Sequence, residues 1–293
     1  MLDISRQAVH DGFQARAYIV EFHERPKRER EDAVFVAEPR CVTAALTSVE
    51  PERAGAAASA PGALKVLLLP LQQAAQSLAI EQEAKAWIAI GEQAGGRIVR
   101  ASSRTARAIW TPTHAVLYTG DEHARDALDA MVRFTVAERE IAHEEKGVRE
   151  FWPSMDVDAD LANALAKSGT ARPTRLKELT RLAAGFKASS LRVWMALEQL
   201  DPGLSAPSKL LFAELSLAAA QEDRQDLLDD PIQFAHDHYE IANTRMIDNR
   251  NASKENRNFV IEIILQIVIV ALLCLELLAM YGVKILPGLP TPV

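Results

Sequence analysis

Phe259–Tyr281 reads FVIEIILQIVIVALLCLELLAMY, a long and almost uninterrupted apolar run. As a helix its 23 residues span about 34 Å, enough to cross a ~30 Å hydrocarbon core with some tilt. In lipid the backbone must satisfy its own polar groups, so a helix is the expected form. Tyr281 suits the interface, and Gly282, Pro287 and Pro290 end the helix. The stretch before it, from Tyr239 to Asn258, is polar and Asn-rich, and reads as a stalk leading to the membrane.

Charge around the run predicts orientation. Arg245, Arg250, Lys254 and Arg257 precede it, and Lys284 alone follows. The positive-inside rule places the large N-terminal part in the cytoplasm and the tail PGLPTPV across the membrane. The N-terminus MLDISRQAVHDGFQARAYIVEF has no apolar core of a signal peptide, so the late helix is expected to act as its own insertion signal. The Asn251-Ala252-Ser253 sequon then faces the wrong side for glycosylation. An Ala- and Arg-rich composition suits a high-GC bacterium, so the membrane expected is a bacterial inner membrane.

Three polar side chains interrupt the run, and their spacing is regular. Glu262, Gln266, Ile269, Leu273, Glu276 and Met280 follow alternating steps of four and three, a heptad-like seam. A carboxylate facing lipid costs roughly 2–3 kcal/mol or more at mid-membrane, so this face is expected to pack on another helix, its own copy or a partner. Glu262 lies one turn inside the cytoplasmic end and can snorkel. Glu276 lies deeper; its readings are packing or assembly, an ion or proton path, and a tolerated rim position. Cys274 reads as a small apolar filler.

The whole chain has 293 residues, with Lys and Arg at 33 against Asp and Glu at 40, hence a net charge of −7. The acidic balance excludes a nucleic-acid coat, and two cysteines exclude a disulfide scaffold and a multi-cysteine zinc module. The fold class expected is α+β: a mixed α/β domain over 1–120, a helical region over 121–238, the stalk over 239–258, a transmembrane helix over 259–283 and a short tail over 284–293. Strand-like runs lie at Ala15–Phe22, Ala33–Ala37, Leu64–Leu69, Arg97–Ala101, Ala106–Trp110 and Ala115–Thr119, the last three spaced as an antiparallel meander. HERPKRERED (His23–Asp32) reads as a solvated loop, Gly55–Gly62 as a flexible connection, and Gln72–Ile90 as a helix.

Beyond Gly120 the pattern turns helical. Asp121 is the candidate cap of a helix running to Arg149, and FWPSM breaks it at Pro153. A short helix is expected over Asp156–Ala166, and another carries Leu176, Leu179, Leu182, Phe186, Leu191, Trp194 and Leu197, ending at Asp201-Pro202-Gly203. Ser208–Leu228 reads as one helix, and Asp230-Pro231 as the start of the next.

Tests for chemistry fail. No GxGxxG, Walker loop or GxSxG occurs, and GEQAGG (Gly91–Gly96) reads as a turn. Asp156, Asp158 and Asp160 open like a calcium loop, but its sixth and twelfth positions are Leu161 and Lys167. Glu140-x-x-His143 lacks the second step that a di-iron bundle needs. His236-Asp237-His238 fits a metal only on extended backbone, because on a helix the two rings diverge by about 200°. Cys41 stands alone. EREIAHEEKGVRE (Glu138–Glu150) mixes both signs at helical spacing and reads as a solvated face. No catalytic residue, cofactor, metal or small-molecule substrate is assigned.

The last 65 or so residues run in a particular order: Asp230, Pro231 and Phe234, then Tyr239, Arg245, a polar stretch, and a final apolar helix with Glu276 near its end. This order resembles that of the "required for meiotic nuclear division" family of single-pass membrane proteins, although Phe234 stands where the family has a Trp-containing element. The resemblance implies an N-terminal α/β domain, helices before a C-terminal anchor, and a scaffold or tether without enzymatic activity; the family's mitochondrial members support organellar translation. The expectation is therefore a single-pass membrane scaffold or accessory subunit, with the membrane and itself or another membrane protein as partners. The alternatives are a subunit of an oligomeric ion or proton pathway using Glu276, and an enzyme with a dispersed site.

Overall fold

The structure is a computed structural model that describes residues 15–24, 33–36, 38–54, 60–71, 78–93, 97–164, 171–199 and 203–280. Most of the loops read at 25–32, 55–59 and 94–96, together with Asp201-Pro202 and everything from Tyr281 through Lys284 to the tail, lie outside the described residues. The chain divides into two compact units, Met1–Met155 with Arg181–His236, and Asp156–Thr180 with Asp237–Val293.

The first unit holds a seven-stranded sheet of β1 (Arg16–His23), β2 (Ala33–Val36), β3 (Val42–Val49), β4 (Leu64–Pro70), β5 (Val99–Ser102), β6 (Ala106–Trp110) and β7 (His114–Thr119). Their order is β2-β3-β1-β4-β7-β6-β5; β4 and β7 pair in parallel and every other pair is antiparallel. The expected β5-β6-β7 meander is present. β4 over Val66–Leu69 and β7 over Ala115–Tyr118 are apolar because both faces are covered. Val66, Leu68, Ala115 and Leu117 join one cluster, and Leu67, Leu69, Val116 and Tyr118 the other.

Strand β3 was not signalled by its sequence. VTAALTSV is made of small and hydroxyl residues with no clean alternation, yet it pairs with β1 over seven positions and with β2 over four. Its place in the sheet is set by neighbours rather than by its own propensity.

Helix α1 (Pro51–Ala54) precedes β4, and α2 (Leu78–Gln93) covers one sheet face through Ala84, Trp87 and Ile88. The other face carries α3 (Ala124–Ala164), seated by Ala127, Leu128, Met131 and Phe134. Trp110 stacks edge-on against Phe134 at 5.1 Å and donates to Thr135 Oγ1 at 2.9 Å, which satisfies the indole N–H inside the core. Helix α3 also guards the open side of β2: Arg125 and Arg133 donate to the carbonyls of Ala33 and Phe35 at 3.0 and 3.1 Å.

Several boundaries differ from the sequence reading, each for a physical reason. Gly120, not Asp121, caps a short 3₁₀ turn (Asp121–His123) that leads into α3. Helix α3 runs through Pro153 instead of breaking there, because Phe151 and Met155 on either side are buried and Phe151 stacks on Phe186. Packing outweighs the one backbone bond that the proline removes. Helix α4 (Ala171–Glu198) buries Leu176, Leu179, Ala183, Val193 and Leu197, whereas Leu182, Leu191 and Trp194 are exposed.

Helix α5 (Ala206–Ala218) lies against β5 and is capped by Ser205, whose hydroxyl accepts from Ser208 N–H at 3.2 Å and donates to Asp126 at 2.7 Å. It ends at Ala219, and Ala220 turns the chain with φ of 47°. The expected Ser208–Leu228 helix is thus two helices. Three successive alanines contain no glycine or proline to announce the turn. Helix α6 (Gln221–Met280) is continuous across Pro231, so Asp230-Pro231 is not a helix start. In the first unit Gln221, Gln225, Leu228, Ile232 and Ala235 form one buried stripe that carries the helix past the proline. In the second unit Leu176, Leu179, Tyr239 and Ala242 are buried, and Thr180 donates to the Tyr239 carbonyl at 3.3 Å.

Gly147 on α3 is required by close approach. A Cβ there would fall on the ring edge of Phe186. Gly147→Ala is expected to lower stability by about 1–2 kcal/mol, the overpacking cost exceeding the gain in helix propensity. Denaturant unfolding checks this, and Phe186→Leu in the same chain should return most of the loss.

Candidate functional site

The last 22 residues of α6, 259–280, are exposed along their whole length. By length and composition this helix is able to cross a membrane, and it is the one such helix among the described residues. At 100° per residue, Glu262, Gln266, Ile269, Leu273, Glu276 and Met280 fall within an arc of about 80°. The polar seam is therefore one face of a real helix, while Val268, Val270 and Leu275 lie elsewhere on its surface. Arg245, Arg250, Lys254 and Arg257 are exposed on the same helix ahead of the apolar segment. No helix break separates stalk from apolar run.

The second group of interest is buried and lies in the first unit. The run Glu138–Glu150 is not simply a solvated face: Glu138, Glu140 and Glu144 are buried where α4 and α6 cover α3. Arg224 on α6 grips Glu145 with two bonds, Nε to Oε1 at 2.7 Å and Nη2 to Oε2 at 3.0 Å, and Glu138 Oε1 with Nη1 at 2.6 Å. Burial alone would lower the arginine's pKa, but these two carboxylates hold it above the ordinary value. Gln221 donates to the second oxygen of Glu138 at 3.0 Å. Glu140 accepts from Ser189 at 2.9 Å and from Arg40, and His143 is exposed.

Glu144 differs from these. It is fully buried, one of its oxygens has no hydrogen-bond partner, and neither has the Gln225 side-chain oxygen nearby. Burial pushes its pKa up to about 7; Glu140 adds to the effect, while hydrogen bonds from Ser189 and Gln225 oppose it. His114 is also perturbed. Burial first, then Lys65, lowers its pKa to about 4, and its ring stands edge-on to Trp87 at 5.3 Å. It is a neutral packing group at pH 7.

The sequence reading missed Arg224, Gln221 and Gln225 as partners of the α3 carboxylates. Their signal was present as two glutamines and an arginine at the stripe positions of an amphipathic helix. His236, Asp237 and His238 lie inside α6, where the two imidazoles diverge. Cys41 and Cys274 are free and exposed.

No family model matches the chain, and no curated protein matches it. Among solved structures it is similar to the full-length CmaX protein, at 11% identity and a TM-score of 0.35, over 91% of this chain and 92% of that one. A likeness at that level carries no argument about what this chain does.

Proposed function

We propose that the protein is a membrane-anchored scaffold or accessory subunit that assembles through the polar seam of α6, with itself or with another membrane protein. The observation that carries this reading is the exposed apolar end of α6 with Glu262, Gln266 and Glu276 aligned on one face. The apolar surface requires lipid, and the polar stripe within it requires a partner that offers hydrogen bonds. Arg245, Arg250, Lys254 and Arg257 favour a topology with the sheet-bearing unit in the cytoplasm, as in a bacterial inner membrane. The resemblance to the "required for meiotic nuclear division" family agrees with a tether. The buried Glu138 and Glu140 and the half-buried Glu145 and Arg224 are spent on each other or on neighbouring residues, which favours a structural role over catalysis.

The test is self-association of the full chain in mild detergent, read by native mass spectrometry. Changing Gln266 and Glu276 together to Leu should weaken association about ten-fold or more, at roughly 1 kcal/mol per interhelical hydrogen bond lost. Unchanged association would remove the seam from the account.

The position of Glu276 on that face supports a second reading, a subunit of an oligomeric ion or proton pathway. One helix cannot enclose a path, so several copies would have to supply the carboxylate together. Flux into liposomes that Glu276→Gln abolishes, with assembly intact, would select it.

A further inference from the structure

A pocket of about 180 Å³ opens between the end of β1, the start of β3 and α3, all within the first unit. Its walls combine apolar side chains, Phe22, Val42 and Val136, with two guanidiniums, Arg40 and Arg139, and with His23 and the carboxylates of Glu24 and Glu140. The two arginines are not equivalent. Arg40 is matched: its Nε and Nη2 lie 3.2 and 3.3 Å from the two oxygens of Glu140, and its Nη1 lies 3.5 Å from the exposed Glu24.

Arg139 is unmatched. Its guanidinium carbon sits 4.3 Å above the Phe22 ring, and one nitrogen donates to the Pro112 carbonyl at 3.2 Å. Among the described residues no carboxylate stands within ion-pair distance of it. Arg139 is half-buried, and one carbonyl with a ring face replaces only part of the hydration it has lost. Burial also pulls its pKa down to about 10, though it stays charged at neutral pH. The fork keeps further N–H groups for a planar, bidentate acceptor.

We propose that this pocket binds a small oxyanion, a carboxylate or a phosphate, held by Arg139 with Phe22, Val42 and Val136 around its non-reacting part. The lining as a whole balances two guanidiniums against Glu24 and Glu140, but Arg40 engages both carboxylates and leaves Arg139 without one of its own. The site owes nothing to the membrane helix and stands apart from the assembly reading.

The test uses the full chain in detergent, with sodium acetate, sodium butyrate and sodium phosphate as probes in calorimetric titrations at fixed chloride. Saturable binding is expected, with a Kd on the order of 1 mM for so few heavy atoms. Butyrate binding more tightly than acetate identifies a carboxylate with an apolar tail, and phosphate alone binding identifies a phosphate site. Arg139→Gln should abolish saturation, and Arg139→Lys should weaken it about ten-fold by losing the fork. If Arg139→Gln does not fold, Phe22→Glu serves instead, since it supplies an internal carboxylate beside the guanidinium and should remove the response. The proposal is overturned if the wild-type protein shows no saturation with any probe, or if the variants respond as the wild-type does, which marks a general salt effect.

Discussion

Replacing Arg224 by Leu should cost about 3–5 kcal/mol of stability, the usual result of removing one member of a buried charge cluster. The loss exceeds that of a surface ion pair because Glu138 is left buried without its cation, while the half-exposed Glu145 loses its fork and turns to solvent. Glu138 would keep only Gln221, and Glu145 would lose both its bonds to the guanidinium. Arg224→Lys should recover only part of the loss, since a point charge on a flexible stem cannot hold the two carboxylates in the fork geometry. Denaturant unfolding measures both variants. Adding Glu138→Gln to Arg224→Leu should return part of the stability, because the deepest stranded charge is then neutral. If Arg224→Leu costs less than 1 kcal/mol, the cluster is wet in solution and the burial argument fails.

The second large effect is a pH dependence centred on Glu144. Its folded pKa of about 7 lies above the ordinary 4.5. The folded state therefore holds a proton that the unfolded chain releases. The contribution is fully present below pH 4.5 and is lost as pH rises through 7. The interval corresponds to roughly 3 kcal/mol between pH 4.5 and 8. Glu144→Gln copies the protonated form. It should match the wild-type protein near pH 4.5 and exceed it by up to about that amount at pH 8. Unfolding curves at the two pH values decide this; equal stabilities at pH 8 would mean that the carboxylate finds solvent or a counterion when it ionises.

The sequence was most readable where one physical demand dominates. An uninterrupted apolar run leaves helix as the plain reading of Phe259–Met280, and double-sided burial makes Val66–Leu69 and Ala115–Tyr118 continuous apolar runs. It was least readable where tertiary contacts overrule local preference. Pro153 and Pro231 look like helix ends, yet buried neighbours on both sides keep α3 and α6 intact. Ala220 looks like helix interior, yet it turns the chain. The glutamates of α3 look like a wet surface, and only the arrival of Arg224, Gln221 and Gln225, some 80 residues later, makes them a core. For the candidate site, the seam was visible because a carboxylate within an apolar run is conspicuous. The Arg139 pocket was not, since nothing in one sequence tells an unmatched arginine from a solvated one.

The two arginines that close over β2 limit how this protein can misassemble. A sheet edge with free carbonyls is a template on which another chain can lay a strand, and a four-residue edge carrying Phe35 outward is sticky as well as short. Arg125 and Arg133 occupy the acceptors at alternate residues, Ala33 and Phe35, where an incoming strand would dock, and they set positive charge there. Edge-to-edge polymerisation from that side is thereby discouraged without lengthening or burying the strand. On the proposed membrane anchoring such protection would matter most, because crowding in two dimensions favours every available contact.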